Sequence, residues 1–164
     1  PCLNVTAPET ALSLYADQSN FKLYLGDTGL LVTQMLMNDN VVAADLYSAI
    51  IFGKDTGFNQ GMIFENLVAQ MLKAAGYNLF FHEYYYQSLE SNKENKYEID
   101  FLLVKNKHIC PIEVKSTNRF SCKSFNYFIE KYPIKITERI IISPKNLAFQ
   151  NGITFLPIYM AFCL

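Results

Sequence analysis

The sequence predicts an α/β domain in which a helix, three strands, a second helix and a further strand follow one another, forming a mixed central sheet flanked by helices. Three stretches carry that reading. FNQGMIFENLVAQMLKAAG, from Phe58, places Phe64, Leu67, Val68, Met71, Leu72 and Ala75 at spacings of three and four, the apolar stripe of a helix. YEIDFLLVKNKHICPIEVKS, Tyr97 to Ser116, holds two apolar runs around a turn at Lys105 to His108, a hairpin buried on both faces. ERIIIS, Glu138 to Ser143, is a short apolar strand of the kind found inside a parallel or mixed sheet.

The remaining elements follow in chain order. Within Pro1 to Gln18, Pro8, Glu9 and Thr10 precede Leu12, Leu14 and Tyr15, which predicts a short helix. Phe21 to Leu25 alternates like a strand, Gly26 breaks it, and Asp27 or Thr28 caps a helix running to about Met37. Asn38 to Asn40 is read as a turn, Val41 to Phe52 as a helix and Gly53 to Gly57 as a loop. Residues 1–56 are thus expected to form a mainly helical extension packed on a core of residues 57–164. Gly76 fits the C-terminal cap of the Phe58 helix. Asn78 to Gln87 is rich in strand-favouring aromatics, with the lone His82 and the Tyr84 to Tyr86 trio; packing within a sheet and stacking on nucleobases are both open to that trio. Ser88 to Lys96 is a polar connection. Cys122 to Tyr132 suits a helix with Phe125, Phe128 and Ile129 on one side, ending before Pro133. Pro144 to Gly152 reads as a loop, and Ile153 to Leu164 as a strand followed by a last helical turn.

At 164 residues and 51% hydrophobic, the chain suits one globular domain with a real core. No apolar run reaches the roughly 18 residues of a membrane span, and the N-terminus has no secretory pattern, so a cytoplasmic location without a membrane partner is expected. The chain opens on Pro1 rather than Met and is read as a piece of a longer polypeptide. Cys2, Cys110, Cys122 and Cys163 are too scattered for a disulfide framework or a zinc knuckle. No G-x-x-x-x-G-K-[ST], GxSxG or HExxH pattern occurs, so no ATP site of the P-loop kind is expected in this chain. The net charge of −1 conceals an asymmetry: residues 1–100 carry 5 Lys and Arg against 12 Asp and Glu, residues 101–164 carry 9 against 3. A positive half beside an acidic site suits a polyanion such as nucleic acid; scattered solubilising lysines are the plainer alternative.

The chemistry concentrates on the hairpin. Side chains repeat with period two along a strand, so Glu113 and Lys115 share a face, and Asp100 on the neighbouring strand can approach them. Carboxylates without a Cys and His cluster favour Mg²⁺ or Mn²⁺ over zinc. A solvated face with a weak ion pair is the alternative, but charges planted between apolar runs need compensation, which favours a functional cluster. Glu65 lies about 20° from Leu72 and roughly 60° from Val68 on a helical wheel, at the margin of the buried stripe. There it can reach the hairpin or extend to water.

The order of elements together with Glu65, Asp100, Glu113 and Lys115 resembles the PD-(D/E)XK nuclease core, with Ile99 standing where that motif has Pro. FKLYLGDTGLL, GMIFENLVA, EIDFLL, PIEVKS and LPIYMAFCL resemble the domain of unknown function at the C-terminus of many prokaryotic P-loop ATPases of the AAA superfamily, over nearly the whole chain from about Phe21. The nuclease resemblance implies that Asp100 and Glu113 hold the metal, that Glu65 completes or orients the site, and that Lys115 assists the attacking water. The other implies an upstream ATPase in the same polypeptide.

Two functions therefore compete: Mg²⁺-dependent hydrolysis of DNA phosphodiesters by Glu65, Asp100, Glu113 and Lys115, and a non-catalytic module that binds DNA or a protein on behalf of the ATPase. The apolar, acidic region before Gly57 is additionally a candidate for self-association.

Overall fold

The structure is a computed structural model that describes residues 1–39, 59–87, 93–133, 136 and 138–164, residues 36–39 by their backbone alone. It is a mixed α/β fold with two mixed sheets. The first has four strands in the order β2 (Ala16–Lys22), β1 (Cys2–Val5), β3 (Phe80–Tyr86), β4 (Asn95–Ile99). Its β1 runs parallel to β3 and antiparallel to β2. The second has five, in the order β5 (Phe101–Lys105), β6 (His108–Val114), β7 (Ile140–Ser143), β9 (Ile153–Pro157), β8 (Ala148–Gln150), with β6, β7 and β9 parallel and the two outer strands antiparallel.

Helices cover both faces of the second sheet. On one side α2 (Gln60–Ala74) sets Val68, Ala69 and Leu72 against Phe101, Leu103, Cys110 and Ile112. On the other α3 (Lys123–Lys131) sets Phe125 and Phe128 against Leu102, Ile109 and Ile141. The apolar run of β6 therefore splits by parity, as period two requires. Burying the fully enclosed Phe and Ile side chains here stabilises the fold by about 1.5–3 kcal/mol apiece.

The termini of α2 follow from local chemistry. Asn59 Oδ1 accepts from the Met62 N–H at 3.2 Å, and Gly76, at φ 92°, turns the chain so that the Tyr77 N–H reaches Leu72 O at 3.1 Å and the Gly76 N–H reaches Lys73 O at 3.0 Å. That pair of bonds is a Schellman motif, and a side chain at Gly76 would strain it. The β5–β6 turn is likewise two residues, Asn106 and Lys107, both at positive φ as a tight hairpin demands.

Several expectations change. Pro1 to Gln18 was expected to contain a helix, but it forms β1, a single 3₁₀ turn at Leu12–Tyr15 and the start of β2. Four residues are too few to display a period, and β1 is identified as a strand only by its place between β2 and β3. The strand expected at Phe21 to Leu25 is displaced, since β2 ends at Lys22. Among the described residues the N-terminal part supplies two strands of the first sheet as well as helix. It does contain α1 (Thr28–Asp39), capped by Asp27 Oδ1 accepting from the Leu30 N–H at 3.0 Å, and α1 continues through the expected turn at Asn38. The expected Val41 to Phe52 helix and Gly53 to Gly57 loop lie outside the described residues, as does most of the Ser88 to Lys96 connection. The expected loop at Pro144 to Gly152 contains β8. The single strand expected from Tyr97 breaks at Asp100 into β4 and β5, which belong to different sheets.

Candidate metal centre

The break at Asp100 builds the site. There the chain bends out of the first sheet and into the second, and the Asp100 carboxylate accepts the Val114 N–H at 2.6 Å, fastening the bend to β6. Glu98, two residues earlier on β4, shares the face that period two gives it. Glu65 arrives from the second turn of α2. One carboxylate oxygen from each of Glu65, Glu98 and Asp100 lies within 4.8 Å of the other two.

Two groups from beyond the expected core meet this trio. Lys22 Nζ, at the end of β2, is 2.9 Å from Glu65 Oε1 and 2.5 Å from Glu98 Oε1, and 5.0 Å from the centre of the Phe81 ring. The Tyr24 hydroxyl donates to Glu65 Oε1. Neighbouring Asn66, which is buried, fixes this segment to α2: its Oδ1 accepts the Leu25 N–H at 2.8 Å and its Nδ2 donates to Leu25 O at 3.1 Å and Thr28 Oγ1 at 2.9 Å.

Three carboxylates against one ammonium leave surplus negative charge in a part-buried place. Burial, then the Glu65 charge, push the Asp100 carboxyl up to about 8, against the opposing Val114 N–H. Burial and Glu65 raise the Tyr24 phenol. Burial works to lower the Lys22 ammonium, but its bonds and charge contacts with Glu98 and Glu65 outweigh it and raise the pKa. A divalent cation among Glu65, Glu98 and Asp100 would relieve this surplus, and an all-oxygen donor set matches Mg²⁺ or Mn²⁺. The residues present therefore fit such an ion.

Glu113 and Lys115 form a second cluster. Glu113 is 3% exposed, and its Oε1 accepts from Lys115 Nζ at 2.5 Å and from Ser124 Oγ, in the first turn of α3, at 2.6 Å. Its other oxygen, Oε2, is buried and has no hydrogen-bond partner among the described residues. By parity Glu113 shares the Ile109 side of β6, facing α3, while Cys110 and Ile112 face α2. The two clusters are linked through β6: Asp100 holds the N–H of Val114, next to Glu113, and the Glu113 charge contributes to the raised Asp100 pKa.

Of the four residues singled out in the sequence, Glu65 and Asp100 come together in the trio and Glu113 and Lys115 pair with each other. Glu113 is not one of the three mutually close carboxylates. Glu98, Lys22, Tyr24 and Ser124 were missed. Glu98 had a signal, its spacing of two from Asp100 in EID. The others had none, since Lys22 and Tyr24 lie in the part assigned to an extension and Ser124 in a different helix.

His82, Tyr84 and Tyr86 are structural in their contacts. His82 is buried with Nδ1 2.6 Å from Val5 O and Nε2 3.1 Å from the Tyr132 hydroxyl. Tyr84 is buried, Tyr86 stacks on Tyr127 at 4.5 Å, and Tyr85 is exposed. Among the described residues no helix is long and apolar enough to cross a membrane.

The family model described as "Domain of unknown function (DUF4143)" matches residues 60–161, from the start of α2 to the last 3₁₀ turn. No curated protein matches the chain. Among solved structures, the crystal structure of protein VC1899 from Vibrio cholerae is similar with a TM-score of 0.38 and 14% identity, over 63% of this chain and 30% of that one. The chain thus spans less than a third of that relative's length.

Proposed function

We propose a metal-dependent role for this chain, which belongs to the family described as domain of unknown function DUF4143. In this reading it is the C-terminal domain of a prokaryotic AAA-type ATPase, and its carboxylate centre serves Mg²⁺- or Mn²⁺-dependent hydrolysis of DNA phosphodiesters on a PD-(D/E)XK-like core. The mutual approach of Glu65, Glu98 and Asp100 within 4.8 Å carries the reading. These three would hold the ion, which when bound supplies positive charge to a phosphoryl oxygen and makes water more acidic. Lys115 and Ser124 hold Oε1 of Glu113, and this pair joins the centre through β6, where Asp100 accepts the N–H of the intervening Val114. In this reading Lys115, paired with Glu113, would assist the attacking water or stabilise the charge that develops on the phosphate.

The test is cleavage of plasmid DNA with Mg²⁺ or Mn²⁺ by the wild-type chain and by Asp100→Ala, Glu113→Ala and Lys115→Ala. Cleavage by wild type, reduced at least a hundredfold in the variants, is expected. Equal, negligible cleavage by all four overturns the reading.

A second reading is favoured by one observation: Lys22 already supplies a counter-charge to Glu65 and Glu98 from within. A centre compensated by its own lysine suits a non-catalytic module that binds DNA or a protein for the ATPase. That module would retain DNA in a salt-sensitive manner and keep doing so after Glu113→Ala.

A further inference from the structure

On the α3 side of the second sheet, a cleft of about 430 Å³ separates α3 from the β8–β9 hairpin. Arg139 lines it at the entrance to β7, together with Asn126 of α3 and Gln150 and Asn151 of the hairpin. The Arg139 backbone is fixed, its carbonyl accepting the Thr154 N–H at 2.8 Å. Its guanidinium rests over the two-residue turn Asn151–Gly152, with Nη1 3.6 Å from where a Cβ on Gly152 would sit. Among the described residues that guanidinium has neither an ion-pair nor a hydrogen-bond partner. A half-buried arginine carries five donors and a permanent charge, so its natural complement is an anion with several acceptor oxygens.

The lining also holds one carboxylate, Glu130, which takes the Tyr86 hydroxyl. Phe155 forms part of the wall, and the ammonium of Lys145 sits 5.6 Å from its ring and 4.4 Å from that of Phe120. Cys122, next to the turn of α3 that carries Ser124, also lines the cleft. Burial raises the Cys122 thiol, and the charges of Glu113, Lys115 and Lys145 all reach it. The cleft is lined by residues of the half of the chain in which basic residues outnumber acidic ones.

We propose that this cleft is a phosphate-ester site, in which Arg139 takes the anion and Asn126, Gln150 and Asn151 supply amide hydrogen bonds. It rests on the hydrolytic reading for its purpose, as the place that holds the strand, but binding here needs no divalent cation. The phosphate can come from a nucleic acid strand or from a free mononucleotide, and the experiment separates these sources.

Fluorescence anisotropy in EDTA with a labelled single-stranded oligonucleotide, titrated across salt concentrations, compares wild type with Arg139→Gln and Arg139→Lys. Arg139→Gln is expected to weaken binding roughly tenfold or more and to reduce the log–log salt slope by about 0.7, the loss of one phosphate contact on a single strand. Arg139→Lys should restore the slope but only part of the affinity, which a folding defect would not do. Competition by a mononucleotide at stoichiometric occupancy identifies a free phosphate ester as the ligand; binding of the oligonucleotide alone identifies the strand. Affinity and slope unchanged by Arg139→Gln, or no binding of either probe to wild type, overturns the site. Because divalent cations are absent, lost binding in Arg139→Gln alongside inactive wild type would sink the hydrolytic reading and leave the cleft standing.

Discussion

Lys22 Nζ lies 2.5 Å from Glu98 Oε1, so the two outer strands of the first sheet, β2 and β4, are tied together across β1 and β3, with the ammonium passing over the ring of Phe81. The same ammonium holds Glu65 of α2. One lysine thus stands where a metal-binding centre would place its cation, and its removal distinguishes a structural salt bridge from a site awaiting an ion.

Lys22→Met leaves Glu65, Glu98 and Asp100 without a counter-charge. Lys22 is about a quarter exposed, so the loss falls between the exposed and buried limits for ion pairs, about 1–2 kcal/mol in denaturant unfolding. Millimolar Mn²⁺ should restore most of it, raising the stability of the variant more than that of wild type. A variant that Mn²⁺ stabilises no better than wild type means that the lysine is the only cation this centre accommodates.

Asp100 makes the apo chain sensitive to pH in the direction opposite to most paired carboxylates. Burial and the Glu65 charge push its pKa up to about 8 from an ordinary 3.8, so between those values the folded chain holds a proton that the unfolded chain has released. The contribution of Asp100 to stability is therefore complete below about pH 4 and declines as pH rises to about 8, by at most about 1.4 kcal/mol per pH unit. Asp100→Asn keeps an oxygen for the Val114 N–H and removes the titration. Unfolding free energies at pH 5 to 8.5 should fall with pH in wild type relative to Asp100→Asn. Parallel curves would show that the carboxyl titrates normally.

The class of fold and half of the site could be read from the chain because they rest on local patterns. The α2 stripe, its Gly76 cap and the β5–β6 hairpin are periodic or turn-coded, and each appears within a few residues of its expected place. What escaped depends on long-range pairing. β1 is a strand only because β2 and β3 flank it, and the bend at Asp100 comes from the change of sheet. The same holds for the site: Glu65 and Asp100 were reachable by wheel and strand geometry, whereas Lys22 and Ser124 are 43 and 11 residues from their carboxylate partners. Parity placed Glu113 with Lys115 correctly, but it could not foresee that the bend turns Asp100 towards Glu98.

His82 supplies a pH effect of the opposite sign. Val5 O can only accept, so Nδ1 carries the proton and the neutral ring takes the Tyr132 O–H at Nε2. Burial lowers its pKa below the ordinary 6.5, with Lys131 adding to the shift and the Val5 bond and Glu83 opposing it. Below about pH 6.5 the unfolded chain therefore takes up a proton that the folded chain resists, and stability falls as acid is added. His82→Gln should flatten this limb, and Tyr132→Phe should cost about 1 kcal/mol at pH 7. Nitrogen NMR at pH 7 should report the Nδ1–H tautomer; finding Nε2–H would reverse the assignment.

Ser124 is the group that decides which oxygen of Glu113 is left free. Its hydroxyl and the Lys115 ammonium both address Oε1, and the Tyr84 hydroxyl donates to the Ser124 carbonyl, fixing the start of α3 against β3. Ser124→Ala removes a hydrogen bond to a buried carboxylate, a loss of about 1.5–3 kcal/mol in unfolding free energy. Ser124→Thr keeps the hydroxyl and should recover most of that stability. In the DNA-cleavage assay Ser124→Ala should lower the rate with little change in oligonucleotide affinity, since Glu113 would be free to rotate while the Arg139 cleft stays intact. If Ser124→Thr is as unstable as Ser124→Ala, crowding at the helix start rather than the bond to Glu113 sets the stability of this corner, and the serine does not position the carboxylate.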